Sequence, residues 1–275
     1  MTISVLVLTL NEELNLPICL PALAWCDDVV VLDSHSNDKT EQLALASGAR
    51  FVQRVFDNYA AQRNFGLNVI NYKHDWLLMV DADEVVPPEL VAEMREHLKH
   101  GTGNTSIYRM RRKDHFLGRW IKHSSGYPTW FGRLIKIGSV QVEREINEEY
   151  ITDGDVGYLQ EHLYHYPFNK GMSSWIDKHN RYSTMEAKLL LEGGLAAPSF
   201  ADFFSSDPTD RRRAIKGLVY RMPGRPLAMF FALYFVKGGF LDGRAGFVFS
   251  VLRAFYEFMI NCKARELKVI SIKDE

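Results

Sequence analysis

The sequence predicts an open α/β fold, and three observations carry that prediction. Within the first hundred residues, short continuous apolar runs alternate with helix-like patterns, which is how βαβ units with buried parallel strands read. Each run stops abruptly at polar residues, as strands do where an open sheet meets its ligand edge. The chain, at 275 residues and 47% hydrophobic composition, is long enough to bury a large core.

ISVLVLT at Ile3–Thr9 reads as the first strand; no basic segment precedes it, so it is expected to be a buried strand and not a signal peptide. A helix is expected from Glu13 to Leu23, a strand at Asp28–Asp33 (DVVVLD) and a helix after Asp38. A strand at Ala49–Gln53, a helix around 59–70 and a strand at Trp76–Asp81 (WLLMVD) follow. The polar strand ends Thr9-Leu10-Asn11-Glu12, Asp33 to Asp38, and Asp81-Ala82-Asp83-Glu84 then share one rim. From about 104 to 166 the pattern changes to SIYRMRRKDHFLG, WFGRLIKIG and EHLYHYPF, expected to be antiparallel additions that complete one side of the site. A long helix is expected from Lys170 to Leu191, with EGGLAAPS as a linker and two apolar segments, LAMFFALYFVKGGF and AGFVFSVLRAFYEFMI, beyond it.

The formal net charge of −1 hides an asymmetry: residues 205–275 hold 13 Lys and Arg against seven Asp and Glu, and 1–204 hold 20 against 27. Three cysteines, Cys19, Cys26 and Cys262, form no CxxC pair, which argues against a disulfide framework or a zinc ribbon and for a reducing compartment. No apolar stretch is read as reaching the roughly 18 residues of a membrane span. No nucleic-acid motif accompanies the basic segments, so nucleic acid is not expected as a partner.

Asp81 and Asp83, one residue apart at a strand end, repel each other unless something positive lies between them. Two such carboxylates hold a hard divalent cation, Mg²⁺ or Mn²⁺, which in turn neutralises phosphate oxygens. Asp38 and Glu84 serve equally well as caps of the next helix. LLMVDADEVV also fits the hydrophobic-DxD string of haloacid-dehalogenase-like phosphatases, in which Asp81 would be the nucleophile. There the motif ends the first strand, whereas here two other polar strand ends precede it.

TLNEE, DSHSNDKT, AAQRNFGL and DADE together, in this order and spacing, resemble family 2 glycosyltransferases of the GT-A fold over residues 3 to about 182. The likeness is strongest to bacterial lipopolysaccharide-core and surface-polysaccharide β-glycosyltransferases, including heptose-directed β-1,4-glucosyltransferases. The resemblance implies a GT-A, Rossmann-like mixed sheet with a C-terminal helical extension. The catalytic domain would be 1–192, with a nucleotide-sugar half at 1–100 and an acceptor half at 101–192, and the basic, apolar-rich tail 193–275. It further implies that Thr9, Asn11 and Glu12 line the nucleotide pocket, that Asp33 reaches the base or ribose, and that Ser36 and Asp38 shape that loop. Arg63 would lie near the nucleotide, Asp81 would contact the ribose or the water shell of the metal, and Asp83 would bind the metal.

Transfer also needs a carboxylate that takes the acceptor hydroxyl proton. Glu145, Glu148 and Glu149 cluster in VEREINEEY; relatives carry His-Glu where Asn147-Glu148 stands here, and Glu148 is the expected base. His165 in HYP resembles the histidine that completes the metal or diphosphate site in many GT-A enzymes, while His162 falls on the opposite strand face. Lys178 and Arg181 share a helix face and suit the diphosphate. The aromatic and basic stretch Phe116–Leu134 suits an acceptor sugar, and core packing would use the same aromatics.

The expected activity is inverting, metal-dependent transfer of a hexose from a nucleotide sugar, a UDP-sugar by expectation, to a glycan or lipid-linked glycan acceptor. A non-catalytic nucleotide-sugar-binding module is the remaining alternative. Residues 211–268 combine cations with Phe, Leu and Met, so the tail would lie on an anionic membrane surface, or pack as a helical hairpin on protein or in a homo-oligomer. The expected location is cytoplasmic, peripheral to the inner face of the cytoplasmic membrane.

Overall fold

The computed structural model describes residues 3–143, 149–191 and 224–273. The chain divides into two compact units, one of Met1–His115 with Tyr127–Lys170 and one of Phe116–Gly126 with Gly171–Glu275.

In the first unit, β1 (Ile3–Thr9), β2 (Val29–Asp33), β3 (Arg50–Gln53) and β4 (Trp76–Asp81) lie parallel in the order β3-β2-β1-β4. Their runs are continuously apolar because both faces are covered. Val5, Val7, Leu78 and Val80 face one core with Leu16, Leu90 and Met94, whereas Leu6, Leu77 and Met79 face another with Leu67, Ile107 and Ile135. The first helix, α1, is only Leu16–Cys19, followed by a 3-10 turn at Pro21–Leu23. The expected helix over Glu13–Leu23 is broken because Pro21 has no N–H to continue it. α2 (Thr40–Ala46) follows β2. α3 (Tyr59–Asn68) is capped by Asn58, whose Oδ1 accepts the Ala61 N–H at 2.8 Å. α4 (Pro88–Lys99) buries Leu90, Val91, Met94 and Leu98 along one face.

The chain continues through β5 (Glu84–Val85), β6 (Thr105–Phe116), β7 (Arg119–Trp120), β8 (Trp130–Lys136), β9 (Gln141–Glu143), β10 (Glu149–Ile151) and β11 (Asp155–His165). β8 is antiparallel to both β4 and β6, as expected, but β11 runs parallel to β6. The β9–β10 pair forms a separate two-stranded sheet, and the chain re-enters the main sheet with Asp155 opposite Thr105, at the start of β6. β5 pairs antiparallel with the far end of β11.

In the second unit, α5 (Gly171–Leu191) packs on the long α7 (Gly243–Lys273) around Ala187, Tyr256 and Ile260. The sequence-based boundary at 192 places α5 with the sheet; by its packing it belongs with the C-terminal segment. α6 (Arg225–Phe231) runs into a π turn at Ala232–Val236 and a 3-10 turn at Gly239–Asp242 before α7. Arg225 on α6 is fully buried and forms an ion pair with Glu257 on α7. The expected linker EGGLAAPS lies outside the described residues.

Gly239–Val269 is long and apolar enough, by length and composition, to cross a membrane, with an 18-residue window of mean hydropathy 1.2. This corrects the expectation that no stretch reaches that length; the one acid in the middle of the helix, Glu257, is buried and pairs with Arg225 of α6. The Tyr256 and Ile260 side of the helix is core, packed beside Ala187 of α5.

Candidate active site

Thr9 and Asp33 are register partners at the ends of β1 and β2, and Leu8 at the end of β1 is the partner of Asp81 on β4. After β1 the chain moves outward to β2 and β3, then crosses back to place β4 on the other side of β1. That reversal is a topological switch point, where an open α/β sheet leaves a crevice beyond its carboxyl ends.

The loop after β2 is tied down from within. Asp33 is fully buried and accepts hydrogen bonds from the Thr9 hydroxyl at 2.9 Å, the Ser36 N–H at 2.8 Å, the Ser36 hydroxyl and Gln53 Nε2 at 3.3 Å. In this arrangement Asp33 organises the loop, with both of its oxygens accepting hydrogen bonds from the protein. Asn11 takes a left-handed conformation at φ 55°, donates its N–H to Ser36 Oγ at 2.7 Å and accepts the Asn37 N–H at 2.9 Å. Asp38 accepts the Thr40 N–H at 2.9 Å and the Glu13 N–H at 3.0 Å, which ties the loop after β2 to the loop after β1. Burial pushes the Glu12 carboxyl up, against the pull of Lys170, whose ammonium lies 2.8 Å from Glu12 Oε1 and also reaches the Asn11 carbonyl at 3.0 Å.

The end of β4 carries a buried charge network. Asp81 lies 2.9 Å from Arg63 Nη2 and 2.6 Å from Arg133 Nη2. Arg133 Nη2 also donates to Glu84 Oε1 at 2.8 Å, and Glu84 Oε2 accepts the Asp81 N–H at 3.0 Å. Burial opposes ionisation of Asp81, but Arg133, then Arg63 and Arg112, outweigh it and hold the carboxyl well below the usual carboxylate range. α3 brings Arg63 here by lying so close to the sheet that a Cβ on Gly66 would come within 2.4 Å of Leu6 Cδ2.

Asp83 belongs to a second arm of the network. β11 places His165 opposite Glu84 of β5 and Asp114 of β6. His165 Nε2 lies 3.3 Å from Asp83 Oδ2, and Nδ1 lies 2.7 Å from Asp114 Oδ1. Burial and Arg112 disfavour the imidazolium, yet the two carboxylates prevail and raise the His165 pKa. Arg112 Nε bonds Asp114 at 3.0 Å and its Nη1 lies 3.4 Å from Glu84, closing the set.

The repulsion between Asp81 and Asp83 is therefore relieved within the protein, by two guanidinium groups at one carboxylate and an imidazole at the other. This revises the expectation that a cation alone relieves it. Among the described residues no three His, Cys, Asp or Glu side chains form a metal cage. Asp83 and His165 do face each other, which fits a Mg²⁺ or Mn²⁺ site of the kind that takes one or two protein ligands and fills its remaining positions with phosphate oxygens and water. His165 would serve as a ligand only after losing the proton on Nε2.

Lys178 and Arg181 are exposed on α5 in the second unit, with the Lys178 ammonium 5.8 Å from the Tyr182 ring. Glu145 and Glu148 lie outside the described residues, and Glu149 is half-buried on β10. His162 meets the Tyr127 hydroxyl at 2.8 Å, and the expected acceptor stretch is divided between the units, Phe116–Gly126 in one and Tyr127–Leu134 in the other. Sequence reading missed Arg112, Asp114, Arg133 and Lys170. For the first three the signal was charge inside strands, RRKD in β6 and the arginine of WFGRL in β8, where a buried charge needs a partner; Lys170, between β11 and α5, carried no such signal.

Fold and rim define an α/β protein with a ligand crevice at the ends of β1, β2 and β4. Residues 4–167 match the family described as Glycosyl transferase family 2, and the chain belongs to that family. It is thus a glycosyltransferase, and with Asp81 bound on both oxygens by arginine the phosphatase alternative loses its nucleophile. The lipopolysaccharide core biosynthesis glycosyltransferase LpsC of Rhizobium meliloti (strain 1021) is 27% identical over 270 residues, 95% of this chain and 91% of that protein. An uncharacterized glycosyltransferase of Rickettsia bellii (strain RML369-C) is 27% identical over 97% of this chain and 87% of its own length. Among solved structures, S. aureus TarS 1–349 in complex with UDP-GlcNAc aligns over 94% of this chain and 90% of that one, at 14% identity and TM-score 0.45. Glucosyl-3-phosphoglycerate synthase from Mycobacterium tuberculosis, solved with Mn²⁺, UDP-glucose and phosphoglyceric acid, aligns over 40% of this chain and 44% of that one, at 30% identity and TM-score 0.33.

Proposed function

We propose that this glycosyltransferase moves a hexose, with inversion, from a UDP-sugar to a hydroxyl of a lipopolysaccharide-core or surface-polysaccharide acceptor. The observation that carries the reading is the meeting of Thr9, Asp33 and Asp81 at a switch point, with Asp83 and His165 3.3 Å apart on the same rim. The acceptor class is supported by the Rhizobium relative, a lipopolysaccharide core biosynthesis glycosyltransferase that this chain matches over nearly its whole length.

Departure of a nucleoside diphosphate from an anomeric carbon builds negative charge on the leaving phosphate. A divalent cation held by Asp83 and deprotonated His165 would supply Lewis-acid stabilisation of that charge. The tied loop of Asn11, Ser36 and Asp38 positions the nucleotide, while Asp81, kept ionised by its arginines, acts as a fixed hydrogen-bond acceptor and takes up no proton. The acceptor hydroxyl attacks from the face opposite the diphosphate and gives its proton to a carboxylate, proposed to be Glu148.

Calorimetric titration with UDP, GDP and CDP, with and without Mn²⁺, tests this reading. The expected result is Mn²⁺-enhanced binding of UDP, weakened at least about tenfold in Asp83→Asn, as loss of one charged ligand group implies. UDP binding that is indifferent to both Mn²⁺ and Asp83→Asn rejects the proposed cation site.

A further inference from the structure

The second unit exposes apolar side chains that its own fold does not require at the surface. Along α6 and the π turn, Leu227, Phe231 and Phe235 recur every four residues and are 67%, 56% and 52% exposed. At the turn into α7, Val236 is 84% exposed, with Phe240 and Leu241 at 50% and 60%. The rings beneath are fixed: Phe230 stacks on Tyr234 at 5.4 Å and meets Phe247 of α7 edge-on at 5.9 Å. The exposed residues therefore stand on a packed base.

Among the described residues, the exposed charges along this tip are of one sign. Between Gly224 and Glu257 the acidic residues are Asp242 and Glu257, each 3% exposed. Asp242 is occupied by the N–H groups of His123 and Ser124 and by both their side chains, and Glu257 pairs with Arg225. Lys237 and Arg244 remain exposed. Arg119 joins them, its Nη1 beside Gly243, and the Lys237 ammonium lies beside Gly126.

We propose that the α6–α7 turn is a docking surface for an anionic lipid bilayer, with the apolar tip entering the headgroup–acyl boundary and Lys237, Arg244 and Arg119 meeting lipid phosphates. A second copy of the chain is the poorer occupant. A twofold contact through this tip would bring like charges together, and among the described residues from Gly224 to Glu257 no exposed acid is present to pair with them. Because the surface lies on unit-two residues outside the proposed active site, it stands whatever sugar is transferred.

Flotation of the full chain with phosphatidylglycerol-containing vesicles, and with pure phosphatidylcholine vesicles, tests this. The protein should float with the anionic vesicles, should largely stay behind with the neutral ones, and should be released by high salt and by carbonate. Lys237→Gln and Arg244→Gln should each weaken binding about fivefold, and Val236→Asp with Leu241→Asp should abolish it. UDP binding should be unchanged in all of them. Absence of flotation, equal binding to neutral vesicles, retention after carbonate washing, or binding unaffected by these substitutions each overturns the proposal. So does a dimer in solution that the same substitutions dissociate while vesicle binding persists.

Discussion

Removing Arg133 tests whether the buried network holds the end of β4. One nitrogen, Nη2, serves Asp81 at 2.6 Å and Glu84 at 2.8 Å, and Arg133 and Glu84 are 3% and 0% exposed. Arg133→Met keeps most of the volume and leaves two carboxylates short of a cation. Taking one partner from a buried pair costs about 3–5 kcal/mol. The lower end applies here, because Asp81 keeps Arg63 at 2.9 Å while Glu84 keeps the Asp81 N–H at 3.0 Å and Arg112 at 3.4 Å. A loss of about 3 kcal/mol, at roughly 2–4 °C per kcal/mol for a chain of this size, lowers Tm by about 6–12 °C. Thermal denaturation followed by circular dichroism reads this directly. Adding Glu84→Gln should restore about 1–2 kcal/mol, since a neutral amide no longer needs the counter-charge. A Tm for Arg133→Met within about 2 °C of the parent, or no recovery in the double variant, refutes the view that the arginine neutralises both carboxylates.

Glu148→Gln should keep UDP affinity and lower turnover by roughly 10²–10⁴, the scale of general-base assistance; unchanged turnover passes the role to Glu145 or Glu149. Burial, with Arg111 and Lys113, depresses His162 to about 4, whereas an unfolded histidine titrates near 6.5. The unfolded chain therefore binds the proton first as pH falls. The contribution of His162 is complete above about 6.5 and declines toward pH 4 by at most about 3 kcal/mol. Chemical denaturation of the parent and His162→Gln across that range should show the decline flattened in the variant, and parallel curves would contradict it. Gly66→Ala should destabilise by about 1 kcal/mol net, with overpacking against Leu6 exceeding the helix-propensity gain. A rise in Tm would show that α3 has room to shift.

Much of the first unit was legible because one physical condition shaped it. Strands covered on both faces must be apolar throughout, so ISVLVLT and WLLMVD announce β1 and β4, and their polar ends announce the rim. The parallel course of β11 was not legible, since an apolar and aromatic run such as EHLYHYPF carries no sign of its direction. The neutralisation of Asp81 was equally hidden. Its partners lie 18 and 52 residues away, and nothing local distinguishes a carboxylate awaiting a metal from one awaiting arginine. Pro21, by contrast, is a readable stop within the expected first helix.

The chain passes from β4 to β5 in two residues, Ala82 and Asp83, although in the sheet those strands are separated by β8, β6 and β11. The far margin of the sheet must therefore curl round until it meets its own middle, enclosing Arg112, Arg133 and Glu84 as the interior of a small closed wall. Asp83 is the stitch in that seam: β4 anchors it on one side, β5 on the other, and its carbonyl accepts the Tyr166 N–H at 2.9 Å. A ligand arriving there meets a carboxylate whose backbone freedom was spent when the chain folded, and binding need not supply that ordering again.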